Sequence, residues 1–493
     1  MIRRAKIVST IGPATSSPTA IGRLLRAGVD VVRLNLSHGD HDFHRGILRT
    51  VRAEAAKQRR FVPVIVDLMG PRYRLAKIAD GPRLLSAGQV VTLGGDKLED
   101  IDLPFEDTSI LEHLQTDERV LIDNGLVELK VLSKSEDRVL AKVMHGGHVS
   151  TRKGINLPDT ELPFTISEKD RADIRFAIEE DADYIAVSFV GGPEDLEAIR
   201  AVMAENKGLI PLIAKLERAG VMRRLEKTIQ VADAVMVARG DLGVELPLHR
   251  VPVMQKKIIG IGRQLGKPVI VATQMLESMM TQPRPTRAEA SDVANAVFDG
   301  ADALMLSGET AAGEYPVEVV ETMALIIREA ESYRKHQVLM GDDRPTKAAS
   351  AHLLPGQAER VYLNETRDLY LDIPEVMAAS AVYAVDRLEA KQIVAFSQGG
   401  FTARMIARYR PATPITVLTK NIEVARRVAL VWGTQPLLME NDVATHDEVV
   451  EVVDRLLVEN DLARPGDTIV ILMGDPIRER PLTNLMRAHR VRG

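Results

Sequence analysis

IPLIAKLE, at residues 210–217, runs apolar from Ile210 to Ala214 and then ends in Lys215 and Glu217. Three later segments follow the same plan: ADAVMVARGD (232–241), PVIVATQM (268–275) and ADALMLSGE (301–309). A strand of a parallel barrel is buried on both faces and so reads as a continuous apolar run. Polar groups gathered at its C-terminal end mark the open face where such barrels place their chemistry. Upstream, AKIVSTIG (5–12), VDVVRLNLSH (29–38), VPVIVDLMG (62–70) and DYIAVSFV (183–190) supply four more strands. Amphipathic segments such as SPTAIGRLLRAG (17–28) and HRGILRTVRAEAAKQ (44–58) lie between most of them. Eight β-α units with short connections predict a (β/α)8 TIM barrel rather than an open doubly wound sheet, and the chain reads as an enzyme.

One connection breaks the rhythm. Residues 71–154 alternate apolar and polar over short runs, as in QVVTLGG and GLVELKVLSKSEDRVLAKVM, with turn signals at Gly94-Gly95 and Asn124-Gly125. This predicts a small β-barrel lid domain inserted at the catalytic mouth, with residues 1–70 and 155–340 forming the barrel. After the helix PVEVVETMALIIREAESYRKH (316–336), the polar stretch GDDRPTKAAS reads as a linker. A C-terminal α/β domain, 345–493, carries strands at KQIVAFS (391–397), PITVLTK (414–420), TQPLLME (434–440) and DTIVILMG (467–474).

The 493 residues, 45% hydrophobic and 27% charged, suit a globular protein of roughly two to four domains. A net charge of -5 gives no basic bias, so no nucleic acid partner is expected. The absence of cysteine removes disulfides, zinc-thiolate sites and thiol nucleophiles, and points to the cytoplasm. Ser9, Thr10 and Gly12 interrupt the first apolar run before it could serve as a signal sequence. No apolar run reaches the ~20 residues of a membrane helix, so no membrane partner is expected.

Glu217 and Asp241 close neighbouring barrel strands, and two converging carboxylates suit a hard divalent cation, magnesium or manganese. Each can equally cap a following helix. Lys215, two residues before Glu217, shares its side of the strand and can neutralise a transferring oxyanion; a plain salt bridge to Glu217 is the other reading. In ARGDLG (238–243), Gly240 allows close backbone approach, and amides near Asp241 suit a carboxylate or phosphate. Thr273 ends the seventh strand, where it could orient a bound acid or a proton-carrying water, or serve structure alone. Arg33, Asn35 and Ser37 give the second strand one polar face, which inside a barrel needs a ligand or ion. Asp67 and Arg74 add to the same mouth. GIGRQLG (260–266) lies in a helical stretch and is not read as a dinucleotide motif. His38, His41 and His44 are read as solvated rather than as a metal cluster.

With these residues assembled, the chain resembles pyruvate kinases over nearly its whole length. The resemblance rests on KIVSTIGPAT (6–15), VVRLNLSHG (31–39), KGINLP (153–158), IAKLE (213–217), VARGDLGVELP (237–247), ATQMLESM (272–279) and LSGETAAGEYP (306–316). It implies phosphoryl transfer from phosphoenolpyruvate to ADP, giving pyruvate and ATP, in a homotetramer. By this likeness Glu217 and Asp241 hold the divalent metal, and Lys215 and Arg33 stabilise the phosphoryl group. The Gly240 and Asp241 amides take the substrate carboxylate, and Thr273 lies near the protonated face of the enolate. Arg74, Lys153 and His38 match nucleotide-side residues. Asn35, Ser37, Asp67 and the Leu68 carbonyl match a potassium site. SQGGFTAR (397–404) matches a loop that binds a phosphorylated effector; a domain that only builds subunit contacts is the other reading.

Three departures stand out. Met69 and Arg72 replace the usual lysine and glutamate of the string around Gly70-Pro71, Gly191 replaces an arginine after Ser-Phe-Val, and RERPLTNLMRAHRV (478–491) lacks a glycine-rich turn. Because members with lysine at the position of Arg72 tend not to require potassium, its fixed charge implies activity without a monovalent cation. The losses at Met69 and Gly191 leave two other readings open. One is a metal-dependent aldolase or lyase acting on a pyruvate enolate; the other is a binding or regulatory paralogue.

Overall fold

Eight strands of four or five residues, almost wholly buried, close on one another: Lys6–Thr10, Val31–Asn35, Val64–Asp67, Tyr184–Val187, Leu212–Lys215, Ala234–Ala238, Val269–Ala272 and Ala303–Leu306. Each pairs in parallel with the next, and the eighth returns to the first through Lys6 opposite Ala303. The computed structural model describes residues 3–78, 81–340, 372–440, 442–443, 445–477 and 482–492. The linker expected at 341–350 and the start of the C-terminal domain lie outside them.

Helix ends follow from local chemistry. Pro18–Ala27 starts at Ser17, whose side chain accepts the Ala20 amide, and stops at Gly28 with φ 126°. Glu168–Glu179 and Arg287–Asp299 open with reciprocal side-chain caps at Ser167/Asp170 and Thr286/Glu289. GIGRQLG falls largely in the helix Val251–Gln264, as its pattern predicts.

Inward side chains fill the barrel. Val8, Ile65, Ile213, Met236, Ile270 and Met305 form a buried interior cluster, joined from below by Leu430 of the C-terminal unit. That unit caps the floor: Tyr184 donates to the Arg427 carbonyl at 3.1 Å and Lys6 Nζ to the Thr434 carbonyl at 2.8 Å.

The floor also carries a fourfold device. Asp30, Asp183, Asp233 and Asp302 each stand just before an even-numbered strand, behind Val29, Ala182, Ala232 and Ala301. Each donates its amide to one residue of the preceding strand (Ile7, Val64, Leu212 or Val269) at 2.9–3.0 Å. Each carboxylate accepts that same residue's amide at 2.7–3.0 Å. An arginine completes every site: Arg3, Arg52, Arg200 and Arg410 respectively.

Between the third and fourth barrel strands lies a seven-stranded sheet with its own core, including Leu93, Leu129, Val131 and Val139. Its two edge strands, Tyr73–Arg74 and Leu103–Phe105, are tied by a bridge between Leu75 and Phe105, giving the barrel-like closure expected. Asn124 and Gly125, with φ 56° and 82°, turn the chain between Arg119–Ile122 and Val127–Lys134 as a two-residue signal should. Gly94-Gly95 makes no turn; the pair ends the strand Val90–Gly95, where a Cβ at Gly94 would stand 2.5 Å from Ile101 Cδ1.

The C-terminal unit holds a five-stranded sheet. Gln392–Phe396, Ile415–Thr419, Thr434–Leu438 and Thr468–Met473 are the four expected parallel strands. Leu485–Arg490 adds an antiparallel edge that the sequence reading missed, because LMRAHR carries too little apolar alternation to stand out. No helix among the described residues is long and apolar enough to cross a membrane.

Candidate active site

At the C-terminal rim, four strands bring a buried chain of alternating charge together. Asp67, 1% exposed, accepts Arg33 Nε at 2.6 Å and lies 3.4 Å from Lys215 Nζ. Lys215 reaches Glu217 Oε2 at 3.5 Å. Arg33 also donates to Thr10 Oγ1 at 3.1 Å. The period of two dictates this set: Arg33, Asp67 and Lys215 continue the inward rows begun by Val31, Ile65 and Ile213.

The charges set one another's protonation. Burial alone would raise Asp67, but Arg33 and Lys215 outweigh it and hold the carboxyl below its ordinary range. Burial would lower Lys215, yet Asp67 and Glu217 raise it, so it remains an ammonium. Glu217 is fully buried and pushed up to about 7, first by burial and then by the nearby charges of Asp241 and Asp67, against the pull of Lys215. Its Oε1 accepts the Phe189 amide at 2.7 Å, whereas Oε2 is buried without a hydrogen bond. A buried carboxylate oxygen left open beside a second carboxylate, Asp241, is a donor set that fits a divalent cation.

Asp241 sits in the first turn of the short helix Arg239–Glu245. The capping reading falls: the N-cap of this helix is Ala238, with no side-chain cap hydrogen bond, whereas the charge of Asp241 acts on Glu217. Thr273 and Gln274 have φ 69° and 54°, a left-handed conformation that a β-branched residue adopts only under constraint. Arg239 supplies part of that constraint by donating to the Thr273 and Gln274 carbonyls at 2.7 and 3.2 Å. Thr273 Oγ1 accepts the Gly240 amide at 2.7 Å and donates to the Ala272 carbonyl at 2.6 Å.

Other expected residues stand apart from the buried chain. Lys153 pairs with Asp123 inside the inserted sheet at 2.7 Å, and Arg74 donates to the Arg152 carbonyl at 3.2 Å. His38 is exposed on the turn after the second strand. Asn35 Oδ1 accepts the Ser37 amide at 3.2 Å. Arg72 is exposed and, among the described residues, forms no ion pair; Asp67 takes its positive partners from Arg33 and Lys215 instead. Glu309, the carboxylate ending the eighth strand, is committed to the Leu276 and Ser307 amides and takes no part in the rim cluster. The histidines are not uniformly solvated: His41 pairs with Asp173 at 2.7 Å, and His44 is 3% exposed, its Nε2 donating to the His38 carbonyl at 2.7 Å.

Three rim residues escaped the sequence reading. Ser188 accepts Lys215 Nζ at 2.6 Å and donates to the Leu68 carbonyl at 2.8 Å, locking the lysine between two strands. Its signal was parity, since it lies two residues beyond the inward Ala186. Arg239 was hidden inside the ARGDLG string. Arg218 fills space left by Gly191, where a Cβ would lie 3.5 Å from its Nη1. Among the described residues Arg218 has no hydrogen bond or ion pair, and its charge acts on Tyr73 at the root of the insertion and on Glu245.

Comparison with known proteins gives one answer along the whole chain. The family models described as pyruvate kinase, barrel domain, and pyruvate kinase, alpha/beta domain, match residues 2–320 and 375–489. Pyruvate kinases of Staphylococcus aureus strains MRSA252 and NCTC 8325 are each 39% identical over 495 residues, covering 99% of this chain and 81% of theirs. The crystal structure of a pyruvate kinase from Cryptosporidium parvum is similar with a TM-score of 0.88 at 33% identity, covering 99% of this chain and 96% of that one.

Proposed function

The chain belongs to the pyruvate kinase family, and from that premise we propose that it transfers the phosphoryl group of phosphoenolpyruvate to ADP, giving pyruvate and ATP. The observation that carries the reading is the buried run Arg33, Asp67, Lys215, Glu217, in which two cations are held in place before any substrate arrives.

Phosphoryl transfer asks a protein mainly for positioning and for charge aimed at the oxygens that gain it. Arg33 and Lys215 supply that charge, and Asp67 and Ser188 fix their directions. Because its carboxylate neighbours keep Lys215 protonated, it acts as a standing cation and not as a proton donor. Glu217 and Asp241 would hold magnesium or manganese, which when bound supplies further positive charge to the phosphoryl group. Thr273 already gives its proton to the Ala272 carbonyl, so its role is to orient a proton-carrying water at the enolate face. The Gly240 and Asp241 amides are assigned to the substrate carboxylate, for which the Gly240 amide must leave Thr273 Oγ1.

On the nucleotide side, Arg74, His38 and Lys153 are assigned to ADP. Lys153 must then exchange Asp123 for a phosphate, which suits a residue carried on a moving lid. The family's potassium set falls on Asn35, Ser37, Asp67 and the Leu68 carbonyl. Arg72 touches none of them, so its charge would act from the mouth rather than by contact. A phosphorylated effector at 397–404 and a homotetramer are carried by the family likeness alone.

A coupled assay for pyruvate, with magnesium and potassium varied separately, tests the reading. Turnover that needs both ADP and magnesium, and persists in tetramethylammonium salts, is expected. Pyruvate release without ADP would favour the lyase reading, no turnover would favour a regulatory paralogue, and strong activation by potassium would remove the role given to Arg72.

A further inference from the structure

Opposite the catalytic rim, a small solvent-open cleft lies between the barrel floor and the C-terminal unit. It is lined by Arg263, Lys267 and Asp302 from the barrel and by Arg404, Arg408 and Arg410 from the other side. Five cations thus face one carboxylate. That carboxylate is fully used: Asp302 takes both Arg410 nitrogens at 3.1 and 2.8 Å together with the Val269 and Trp432 amides. Arg408 is matched by Glu375 at 2.9 Å.

Arg263 has an interaction of its own, and Lys267 and Arg404 are left over. Neither side chain forms an ion pair among the described residues; Lys267 Nζ has no hydrogen bond there, and Arg404 Nη1 makes only a long one to the Gly399 carbonyl at 3.4 Å. The acid whose charge acts on Lys267 is Asp233, already committed to Arg200 and the Leu212 amide. Burial, with Arg404 and Arg200 close by, lowers the Lys267 pKa, the mark of a cation in want of an anion.

We propose that this cleft is a binding site for a phosphate group, held by Lys267 from the barrel and Arg404 from the C-terminal unit. The cleft is far too small for a drug-sized ligand and opens to solvent, so the group it suits is a small anion such as phosphate, seated at its mouth. An ion shared between the two units ties them together, so binding stabilises the chain as a whole. The site lies at the opposite end of the barrel from the transferred phosphoryl group, and its failure would leave the kinase reading intact.

Inorganic phosphate is titrated calorimetrically into the full chain at constant ionic strength without divalent metal. Wild type is compared with Lys267→Ala, Arg404→Ala, Ser397→Ala and Lys215→Met. Saturable binding to wild type, weakened at least tenfold by Lys267→Ala and by Arg404→Ala and kept by the other two, is expected. Lys267→Ala should retain turnover and its phosphate-free melting temperature; Lys267→Gln replaces it if it does not fold. Three results overturn the site: no saturable binding to wild type, binding indifferent to Lys267, or loss confined to Ser397→Ala or Lys215→Met, which would place phosphate on the 397–404 loop or at the rim.

Discussion

The two ends of this barrel use buried acids in opposite ways. On the floor, each of Asp30, Asp183, Asp233 and Asp302 takes at least one main-chain amide and at least one arginine, so the protein itself supplies its partners. At the rim, Glu217 is fully buried, deeper than Asp30 or Asp233, yet one oxygen has no hydrogen bond and its pKa is pushed up to about 7. Residue type does not separate these ends. What separates them is whether neighbours complete the coordination, and an incomplete shell is where a ligand gains most.

The sharpest way to break the comparison is Lys215→Met. Removing a preorganised cation should lower kcat by about 10³-fold or more, while magnesium binding, read by calorimetry, stays within a few-fold. Turnover near wild type would undo the role of the rim. Glu217→Gln should weaken magnesium binding by more than the ~10–100-fold that loss of outer partners costs. The metal-free variant should melt no lower than wild type, because an amide carries no charge to bury. A large drop in melting temperature would show that Glu217 belongs with the floor acids.

Asp302→Ala asks the converse. It leaves Arg410, whose side chain is 5% exposed, without its partner and orphans two amides, so denaturant unfolding should show a loss of about 3–5 kcal/mol. kcat per folded molecule should be kept. The smallest effect is in pH. Burial pulls Lys6 down to about 8, against the pull of Asp30. Above that pH the folded chain has shed a proton that the unfolded chain keeps until about 10.5, so this group's cost to folding is full below pH 8 and fades as pH rises. Wild type should gain at most about 3 kcal/mol relative to Lys6→Met across that window, by urea unfolding at successive pH values.

Much of this was legible because burial on both faces writes a strand as an apolar run, and because period two then fixes which side chains point inward. Lys215, Glu217, Arg33 and Asp67 were found that way. Ser188 obeys the same parity and was passed over only because serine after a strand looks unremarkable in isolation. The four floor aspartates were also in plain sight, as Val-Asp or Ala-Asp before every second strand. Arg218 was beyond reach, since only coordinates show its guanidinium entering space that Gly191 leaves. The pairing of Lys153 with Asp123 was hidden too, because it joins side chains across a sheet whose register no single segment declares.

The aspartate at 183 has a further consequence. Its bond to the Val64 amide spans 119 positions of sequence and closes across the whole inserted sheet, at the end of the staves farthest from where that sheet protrudes. The excursion is therefore hung like a gate from posts already braced at ground level. A swing of that sheet over the mouth would leave the third and fourth staves joined at this bond.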